Sequence, residues 1–570
     1  MAVPYTEKPW AFLEDFRGKN FTGEWPTLPE LFRITVLRHP KRSCFTVYEP
    51  DRISLNYTEA LERIEAIAHW LYSKGIRRGD RVAVTGKNSP EWTVAYLGIL
   101  FAGAVVVPID YQLKIEELDL LIKTAGVKIL FVDEEKHERY AQSPGELSEI
   151  ISLKKGIGKY IYDLNGPEVK IEQAVETDLA AILFTSGTMG NPKGVMLTHQ
   201  NFVSDCLLAQ GTPLIVLYTD VFYAILPLHH SYTMLAVFIE TISVGAELVF
   251  GKRMVTSQIL KELKEGKVTM LLGVPMLFNK VLTGIIRGLR EKGPVVYGLI
   301  SFLMSISGII KKVFKVNPGK KMFGFILKKA SLNTIRICIC GGGPLAPSVF
   351  RKYNQLGIDF VQGYGLTETS PIITINPIEH YKTTSVGRPC PRVDMKIMDP
   401  DDRGIGEVIV KGPMVMKGYY NMPEETAETF TADGYLKTGD LGYMDSENYL
   451  YLTGRGKNMI VTEGGKNVYP EEIENEFQLF EEIDQILVKG FMPDKGTRSE
   501  NIEAFVYPNP EFKNETGTPS KEYMKTRIDG IITEVNQRLL PYQRIERVTI
   551  LDEPMEMTTT KKIKRNKLKN

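Results

Sequence analysis

From Arg81 onward, short and continuous apolar runs alternate with longer segments that carry helix start and stop signals. "RVAVTG", "AVVVPID" and "VKILFVDE" predict strands, while "PEWTVAYLGILFAG" and "IEELDLLIKTAG" predict helices that close on a glycine. Strands without polar alternation belong to sheets covered by helices on both faces. The pattern recurs at "AAILFTSG", "ELVFGK", "VTMLLGV", "TIRICICGGG" and "DFVQGYG". The sequence therefore predicts an α/β fold whose large N-terminal domain contains mixed, helix-covered sheets.

The pattern changes near "TTSVGRPCP", residues 383–391. Beyond it the strands shorten and alternate, in "DMKIMD", "GEVIVKG", "YLKTGD" and "LYLTGR", which predicts a small β subdomain over about residues 385–455. After "GRGK" come mixed strand and helix patterns, including an amphipathic stretch from Ser520 to Leu540. We predict an N-terminal domain over residues 1–455 and a small α+β C-terminal domain over residues 456–570, joined by a hinge.

Length and composition narrow the class of protein. At 570 residues the chain exceeds one simple core, and its net charge of +1 disfavours a nucleic-acid binder. The five cysteines form no C-x-x-C pair, which favours a reduced compartment without structural zinc. Cys338 and Cys340 alternate within "IRICIC" and are expected on one face of a strand. The N-terminus has early charges and no apolar run, so we expect no signal peptide and a cytoplasmic location.

One stretch complicates that picture. Residues 293–310, "GPVVYGLISFLMSISGII", carry no charge, and lysines interleaved with apolar residues follow up to Lys329. The segment is short for a membrane span. It is also consistent with a buried helix that has a solvated lysine face, or with an amphipathic surface that lies on anionic lipid. Peripheral membrane contact through residues 293–329 is therefore one hypothesis.

The stretch "FTSGTMGNPKGVMLTHQN", residues 184–201, has the composition of a polyphosphate loop. Its glycines allow backbone N–H groups to approach a phosphate closely, and Lys193 supplies a compact positive charge. It is not a Walker loop, because Gly194 follows Lys193 where Ser or Thr is required. A P-loop kinase is therefore excluded.

Three further glycine-containing stretches carry candidate ligand groups. "GYGLTETSP" offers the flat ring of Tyr364, and its Thr367 and Glu368 suit phosphate and magnesium, although a capped turn explains the same residues. "CGGGPLAP" ends a strand in three glycines, which fits either a ligand contact or a tight turn. Asp440 of "TGD" and Arg455 of "GRGK" form either a pair for ribose hydroxyls or an exposed ion pair.

Taken together, these stretches resemble the adenylate-forming superfamily, which includes acyl-CoA synthetases, firefly luciferase and peptide-synthetase adenylation domains. The resemblance runs from about Tyr57 to Arg565, and its motifs come in the family's order: the phosphate loop, "LPLHH", "GGGPL", "GYGLTE", "GEVIVKG", "TGD", "GRGK" and "GGKNVYPEEIE", then a C-terminal lysine. "TTTKKIKR" and "LPLHHSY" are most similar to long-chain fatty acyl-CoA synthetases.

The resemblance implies two half-reactions. A carboxylate attacks the α-phosphorus of ATP to give acyl-AMP and pyrophosphate, and the thiol of coenzyme A then displaces AMP. Magnesium would be held by Glu368 and Thr185, and Thr367 would contact the α-phosphate. Tyr364 and Gly365 would hold the adenine, with Asp440 on the ribose hydroxyls and Arg455 assisting. The expected β- and γ-phosphate ligands are Thr185, Ser186, Gly187, Thr188, Gly190 and Lys193, and the expected lining of the base is Gly341, Gly342 and Gly343.

The C-terminal part of the resemblance assigns the remaining roles. Lys562 matches the lysine that bridges carboxylate and α-phosphate, with Lys564 as a competitor. Lys457 falls at the hinge, and Gly464 and Gly465 would form the coenzyme A tunnel after domain rotation. His230 would face the acyl carboxylate. Two positions depart from the family pattern: Met189 replaces a frequent threonine, and Lys561 replaces the glycine that short-chain members carry before the lysine.

Several alternatives stay open from the sequence. The acceptor of the acyl group could be a carrier protein or oxygen rather than coenzyme A. The chain could be a nucleotide-binding membrane adaptor without catalysis, although Lys193, Glu368 and Lys562 are all present. A metal site built from His199, His229 and His230 is a weaker hypothesis, because no Cys or carboxylate pattern accompanies it. The apolar segment after Pro275 favours a medium- to long-chain fatty acid as substrate.

Overall fold

The predicted apolar strands form two large sheets that share one hydrophobic core. The computed structural model describes residues 8–185, 192–212, 216–462, 466–492, 500–512, 520–558 and 562–565. The strands, in chain order, are β1 (Ser43–Val47), β2 (Ile53–Asn56), β3 (Arg81–Thr85), β4 (Val105–Ile109), β5 (Ile129–Val132), β6 (Glu149–Ser152), β7 (Leu179–Thr185), β8 (Lys193–Thr198), β9 (Val221–Ala224), β10 (Glu247–Phe250), β11 (Met270–Gly273), β12 (Ile337–Cys340), β13 (Asp359–Gly365), β14 (Ile372–Ile375), β15 (Arg388–Pro389), β16 (Asp394–Met398), β17 (Gly406–Lys411), β18 (Gly418–Tyr419), β19 (Leu436–Met444), β20 (Leu450–Arg455), β21 (Ile460–Thr462), β22 (Lys466–Val468), β23 (Ile483–Phe491), β24 (Asn501–Pro508) and β25 (Arg547–Ile550).

The helices follow the amphipathic segments. They are α1 (Leu28–Arg38), α2 (Tyr57–Ser73), α3 (Pro90–Phe101), α4 (Ile115–Ala125), α5 (Glu134–Gln142), α6 (His199–Gln210), α7 (Ser231–Thr233), α8 (Glu240–Val244), α9 (Thr256–Glu265), α10 (Pro275–Arg290), α11 (Pro294–Phe314), α12 (Gly319–Met322), α13 (Gly324–Lys329), α14 (Pro347–Gln355), α15 (Pro423–Thr429), α16 (Pro470–Asn475) and α17 (Lys521–Arg538). A π-helix, Met234–Ile239, joins α7 to α8. The predicted starts have physical causes: the Ser89 side chain caps α3, and Ser520 caps α17.

Both large sheets are mixed, as predicted. One has the order β15-β14-β13-β12-β11-β9-β10-β1-β2, and the other has the order β18-β8-β7-β4-β3-β5-β6. Parallel strands form the interior of each sheet, with antiparallel strands at the edges. Helices α3 and α6 touch both sheets, and α2 packs on α3, so these helices fill the core between the sheets. The α/β fold class is confirmed.

Strand β12 carries the "ICIC" pattern and confirms the prediction for its cysteines. Cys338 and Cys340 are fully buried in the core on one face, while Ile337 and Ile339 pack into the core on the other. The carboxyl ends of β12 and β13 run directly into the glycine loops. In sheets of this kind, that edge is where ligands bind.

The four short alternating strands after residue 385 form one antiparallel sheet in the order β16-β17-β19-β20. Two segments within that range belong elsewhere, because β15 extends the nine-stranded sheet and β18 extends the seven-stranded one. Beyond residue 459, strands β23, β24 and β25 form a separate sheet with its own core around Val488, Ile528 and Ile531. The boundary near residue 455 stays a prediction.

Helix α11 corrects one interpretation of residues 293–310. Its buried face consists of Ile300, Met304, Ser307 and Lys311. Lys311 therefore lies inside, where its Nζ contacts the Asp359 carboxylate at 2.6 Å. The interpretation as a buried helix with a solvated lysine face is wrong, since most of the helix surface is exposed and that exposed surface is apolar.

Candidate active site

One cleft gathers every predicted site residue that the structure describes. Its volume is about 4040 Å³, and it opens between the glycine loops, the four-stranded sheet and the C-terminal sheet. Ser186, Gly187, Thr188, Gly190, Gly464 and Gly465 lie outside the described residues, as do Met189 and Lys561. The predicted residues that line the cleft are Thr185, Lys193, His230, Gly341, Gly342, Gly343, Tyr364, Gly365, Thr367, Glu368, Asp440, Arg455, Lys457 and Lys562.

The phosphate side of the cleft starts from the hairpin β7–β8. Thr185 ends β7 and pairs with Lys193, the first residue of β8. The Lys193 ammonium lies 4.7 Å from the ring centre of Tyr419, and the Tyr419 hydroxyl donates to Glu368 Oε1 at 2.9 Å. Tyr419, which the sequence analysis missed, thus connects the loop lysine to the candidate magnesium ligand.

Glu368 suits a magnesium ion that arrives with a nucleotide. Its carboxylate lines the cleft, and the backbone around it is fixed because Met416 N donates to Glu368 O at 2.8 Å. Mg²⁺ in nucleotide sites is typically held by one or two carboxylates together with phosphate oxygens and water. Beside it, the hydroxyls of Thr367 and Ser231 lie 3.1 Å apart, so both face the same point of the cleft.

The glycines of the two strand ends are required by close contacts. A Cβ on Gly341 would lie 3.0 Å from the Tyr232 ring, and one on Gly365 would lie 1.5 Å from Pro371 O. Gly342 has a φ of +78°, which favours glycine. These contacts keep side chains out of the space beside Tyr364, where a planar ring can approach the backbone.

Asp440 is the polar centre of this end of the cleft. Its Oδ2 accepts the Tyr364 hydroxyl at 2.7 Å, and its Oδ1 lies 2.9 Å from Arg455 Nε. A carboxylate has about four acceptor positions, so both oxygens keep capacity for two ligand hydroxyls. Burial and the neighbouring Asp440 carboxylate hold the pKa of Tyr364 well above its ordinary value, which keeps its hydroxyl a donor.

His230 and His229 form a neutral pair at the inner wall. Their ring centres are 4.1 Å apart. Burial lowers the pKa of His229 to about 3, and burial together with His229 holds the pKa of His230 well below its ordinary value. His199 lies elsewhere, where its Nδ1 accepts the Leu28 N–H at 3.2 Å. The three-histidine metal site is wrong: the described residues contain no group of three or more His, Cys, Asp or Glu side chains placed to hold a metal.

Lys562 reaches this centre from the C-terminal sheet. It is an exposed residue on the wall of the cleft, where desolvation by the surrounding protein and the Arg455 charge lower its pKa, while Asp440 opposes the shift. The competing Lys564 is instead ion-paired to Glu556 in the same hairpin. The hinge candidate Lys457 lies in the 3-10 turn Gly456–Asn458 directly after Arg455, and burial, with Arg455, lowers its pKa.

Gln478, in the turn that follows α16, joins the C-terminal part to the glycine loop. Its Oε1 accepts the Ala346 N–H at 2.8 Å, and its Nε2 donates to Pro344 O at 3.0 Å. No sequence signal marked this residue. These contacts join the C-terminal part to the glycine loop in the orientation in which Lys562 lines the cleft.

An apolar extension of the cleft runs inward past Tyr232. We name it the inner chamber, and its walls are one face of the nine-stranded sheet and the π-helix Met234–Ile239. Its apolar lining consists of Phe222, Ala236, Met270, Leu272, Ile339 and Ile375.

Comparisons with known proteins agree with this geometry. The model of the family described as "AMP-binding enzyme" matches residues 32–420. A long-chain-fatty-acid–CoA ligase of Bacillus subtilis is 29% identical over 558 residues, covering 90% of this chain and 91% of that protein. A feruloyl-CoA synthase of an Amycolatopsis species is 29% identical, covering 77% and 81%. The crystal structure of ATP-bound MatB from Rhodopseudomonas palustris superposes with a TM-score of 0.74 at 27% identity, covering 95% and 98%.

Proposed function

Since the chain belongs to the AMP-binding enzyme family, we propose that it is an AMP-forming acid–CoA ligase whose acid is a medium- to long-chain fatty acid. The observation that carries the proposal is the convergence of Lys562, Asp440, Arg455 and the Glu368–Tyr419–Lys193 chain on one cleft. Such a cleft supplies fixed positive charge and hydrogen-bond donors around a polyphosphate.

In the first half-reaction, an oxygen of the acid's carboxylate forms a bond to the α-phosphorus of ATP, and the bond to the pyrophosphate oxygen breaks. Charge spreads over the phosphoryl oxygens in the transition state, so catalysis depends on positioned cations and donors. Lys562 bridges the carboxylate and the α-phosphate, and Lys193 attracts the departing pyrophosphate. Glu368 and Thr185 would hold magnesium, which when bound neutralises phosphate charge.

In the second half-reaction, the sulfur of coenzyme A attacks the acyl carbon, AMP leaves, and the thiol proton passes to solvent. Lys562 and Gln478 lie on the part of the chain that must rotate about Lys457 to admit the thiol, as the resemblance implies. The neutral His230 lies on the inner wall and does not repel a positively charged neighbour such as Lys562. Transfer to a carrier protein is the alternative acceptor, and the non-catalytic adaptor is the remote alternative.

The fatty-acid assignment is supported by the inner chamber and by a relative. Each buried methylene contributes about 0.8 kcal/mol, so an apolar chamber favours an alkyl chain over a small polar acid. The Bacillus subtilis relative carries the name of a long-chain-fatty-acid–CoA ligase. Because another relative carries the name feruloyl-CoA synthase, aromatic acids are the class of substrate with which fatty acids should be compared.

We expect pyrophosphate release with Mg-ATP to depend on the acid that is offered. Hexanoate, decanoate, palmitate and ferulate would be compared, each with and without coenzyme A. The proposal predicts steady turnover with decanoate or palmitate only when coenzyme A is present. A single turnover that coenzyme A does not extend would contradict the assignment of coenzyme A as the acyl acceptor. Turnover with ferulate but with none of the fatty acids would contradict the assignment of a fatty acid as the substrate.

We also propose that the exposed face of α11 rests on an anionic membrane surface. One apolar stripe, Val295, Leu299, Phe302, Ile309 and Val313, lies opposite the buried face, and each of these side chains is more than half exposed. By length and composition α11 could also cross a bilayer, but its other face packs on α10 and α14.

The charges around the stripe favour anionic lipid over a second protein copy. Residues 293–329 contain no acidic residue, and Lys312, Lys321, Lys328 and Lys329 are exposed. Basic residues beside an apolar helix face are typical of binding to anionic headgroups. The cleft lining continues along α10 to Glu291, so a docked membrane would lie near one mouth of the cleft. Under this proposal the protein is cytoplasmic and peripherally membrane-associated.

Vesicle sedimentation tests this placement. We expect the wild type to bind phosphatidylglycerol-containing vesicles, and F302E/I309E to bind them at least about 10-fold more weakly, because a buried Phe or Ile contributes about 1.5–3 kcal/mol. The matched control is L37E/I53E, which changes two side chains that are 62% and 52% exposed elsewhere. Equal binding by both variants, or a stripe-dependent dimer in the absence of lipid, would contradict the membrane surface.

A further inference from the structure

Glu240 places a buried carboxyl group in the lining of the inner chamber. Glu240 lines the cavity while only 6% of its surface is exposed. It is the first residue of α8, and Ala236, which also lines the cavity, precedes it by four residues across the π-helix. Since a π-helix turn holds between four and five residues, both side chains point to the same side. Short π-helices frequently occur at functional sites.

The polar groups behind Glu240 hold its carboxyl in place. Cys206 Sγ donates to Glu240 Oε2 at 2.9 Å, and Gln210 Nε2 donates to Ser243 Oγ at 2.8 Å beside it. Cys206, Gln210 and Ser243 do not line the cavity themselves. Among the described residues that line this part of the cavity, Glu240 is therefore the one that offers polar atoms to a ligand. A buried carboxyl that faces apolar walls is costly to maintain unless it finds hydrogen-bond partners.

The distance between Glu240 and the reaction centre determines which part of a bound acid can contact Glu240. Ser231, whose hydroxyl contacts Thr367, starts the continuous helical segment that ends in α8. Nine residues separate it from Glu240, an axial distance of at most about 13 Å by the α-helical rise, because six of these residues belong to the π-helix, which rises less per residue. An acyl group of the length of decanoate, whose carboxylate lies at Thr367 and whose chain follows the π-helix, therefore brings its far end to Glu240.

We propose that Glu240 is a specificity-determining residue that selects acids carrying a hydroxyl group at the end opposite the carboxylate. The hydroxyl donates to the Glu240 carboxyl, which has unused acceptor positions beyond its bond from Cys206. Apolar walls hold the methylenes between the two ends. The inference rests on the proposed ligase function and refines its substrate to ω-hydroxy fatty acids.

The test compares kcat/KM for ω-hydroxydecanoate and decanoate by coenzyme A-dependent pyrophosphate release. We expect the wild type to prefer the hydroxy acid about 10-fold, the factor that one net hydrogen bond supplies. E240L should reverse the preference, and E240Q, which keeps an acceptor, should retain most of it. The matched control is E262Q, because Glu262 is also buried and hydrogen-bonded, to Tyr223, but does not line the cavity.

The outcomes separate the two levels of the proposal. Equal kcat/KM for both acids in the wild type, or a preference that E240L leaves unchanged, overturns the role of Glu240 and leaves the ligase function standing. No pyrophosphate release with either acid or with any other fatty acid overturns the ligase function itself. The wild-type ratio decides the matter even where E240L fails to fold.

Discussion

Replacing Lys562 with alanine is expected to lower acid-dependent pyrophosphate release about 100- to 1000-fold, the usual cost of removing one group that stabilises transition-state charge. Lys562 lines the same cleft as Thr367, Asp440 and Arg455, and its pKa responds to the charges of Asp440 and Arg455, so it lies on the side of the cleft to which the ribose and the α-phosphate are assigned. Thioester formation from preformed acyl-AMP should be nearly unchanged, because the proposed rotation of the C-terminal part would turn Lys562 away before that step. Separate assays of the two half-reactions measure this difference.

The control for this prediction is Lys564→Ala. Lys564 is two residues away but is ion-paired to Glu556, so its loss should change pyrophosphate release only slightly. Equal losses in the two variants, or a larger loss in K564A, would contradict the assignment. Since the two lysines lie in the same hairpin, a general disturbance of that hairpin would affect both.

The pH dependence gives a second measurement on Lys562. Its pKa is lowered, so its ammonium loses a proton at a lower pH than an ordinary lysine, whose pKa is about 10.4. The rate of adenylation, which requires the ammonium, should therefore be at its maximum at neutral pH and should fall as the pH rises through the lowered pKa. K562R should keep its charge and remove the alkaline decline. An alkaline decline that is unchanged in K562R would show that another group titrates.

Local patterns predicted the strands and the glycine loops, because both depend largely on neighbouring residues. Continuous apolar runs mark covered strands, and Gly365 is required by a contact within its own loop. The order of these motifs carries the resemblance to the adenylate-forming superfamily, and it was this resemblance that predicted which residues would meet in the cleft.

Long-range side-chain partners could not be predicted in this way. Tyr419 meets Glu368 across 51 residues, and Gln478 meets Pro344 across 134. Neither pair leaves a periodic trace in the sequence, since each depends on how sheets pack. The sequence left the placement of α11 open between burial and an exposed surface for a related reason. Its two opposite faces are both apolar, so hydrophobicity alone did not reveal that Lys311 is buried against Asp359 while Phe302 is exposed.

Replacing Asp440 with alanine is expected to raise the KM for ATP about 10- to 100-fold, because one hydrogen bond to a charged group contributes about 1.5–3 kcal/mol. The carboxylate is buried, holds Tyr364 at 2.7 Å and Arg455 at 2.9 Å, and has acceptor positions left for ribose hydroxyls. Its loss removes the ribose acceptor and also releases the ring that borders the adenine space. The effect should appear in ATP binding, measured by calorimetry, more than in the KM for the acid.

The control variant Asp445→Ala distinguishes an effect on nucleotide binding from an effect on the stability of the hairpin. Asp445 belongs to the β19–β20 hairpin as well and pairs with Lys382 at 2.7 Å, but it does not line the cleft. D445A should lower the melting temperature without changing ATP affinity, whereas D440A should change both. D440N keeps one acceptor oxygen and should fall between the wild type and D440A. If D440A bound ATP as tightly as the wild type does, the ribose would have to lie elsewhere in the cleft. The place of Lys562 near Asp440 would then no longer support its assignment to the adenylation step.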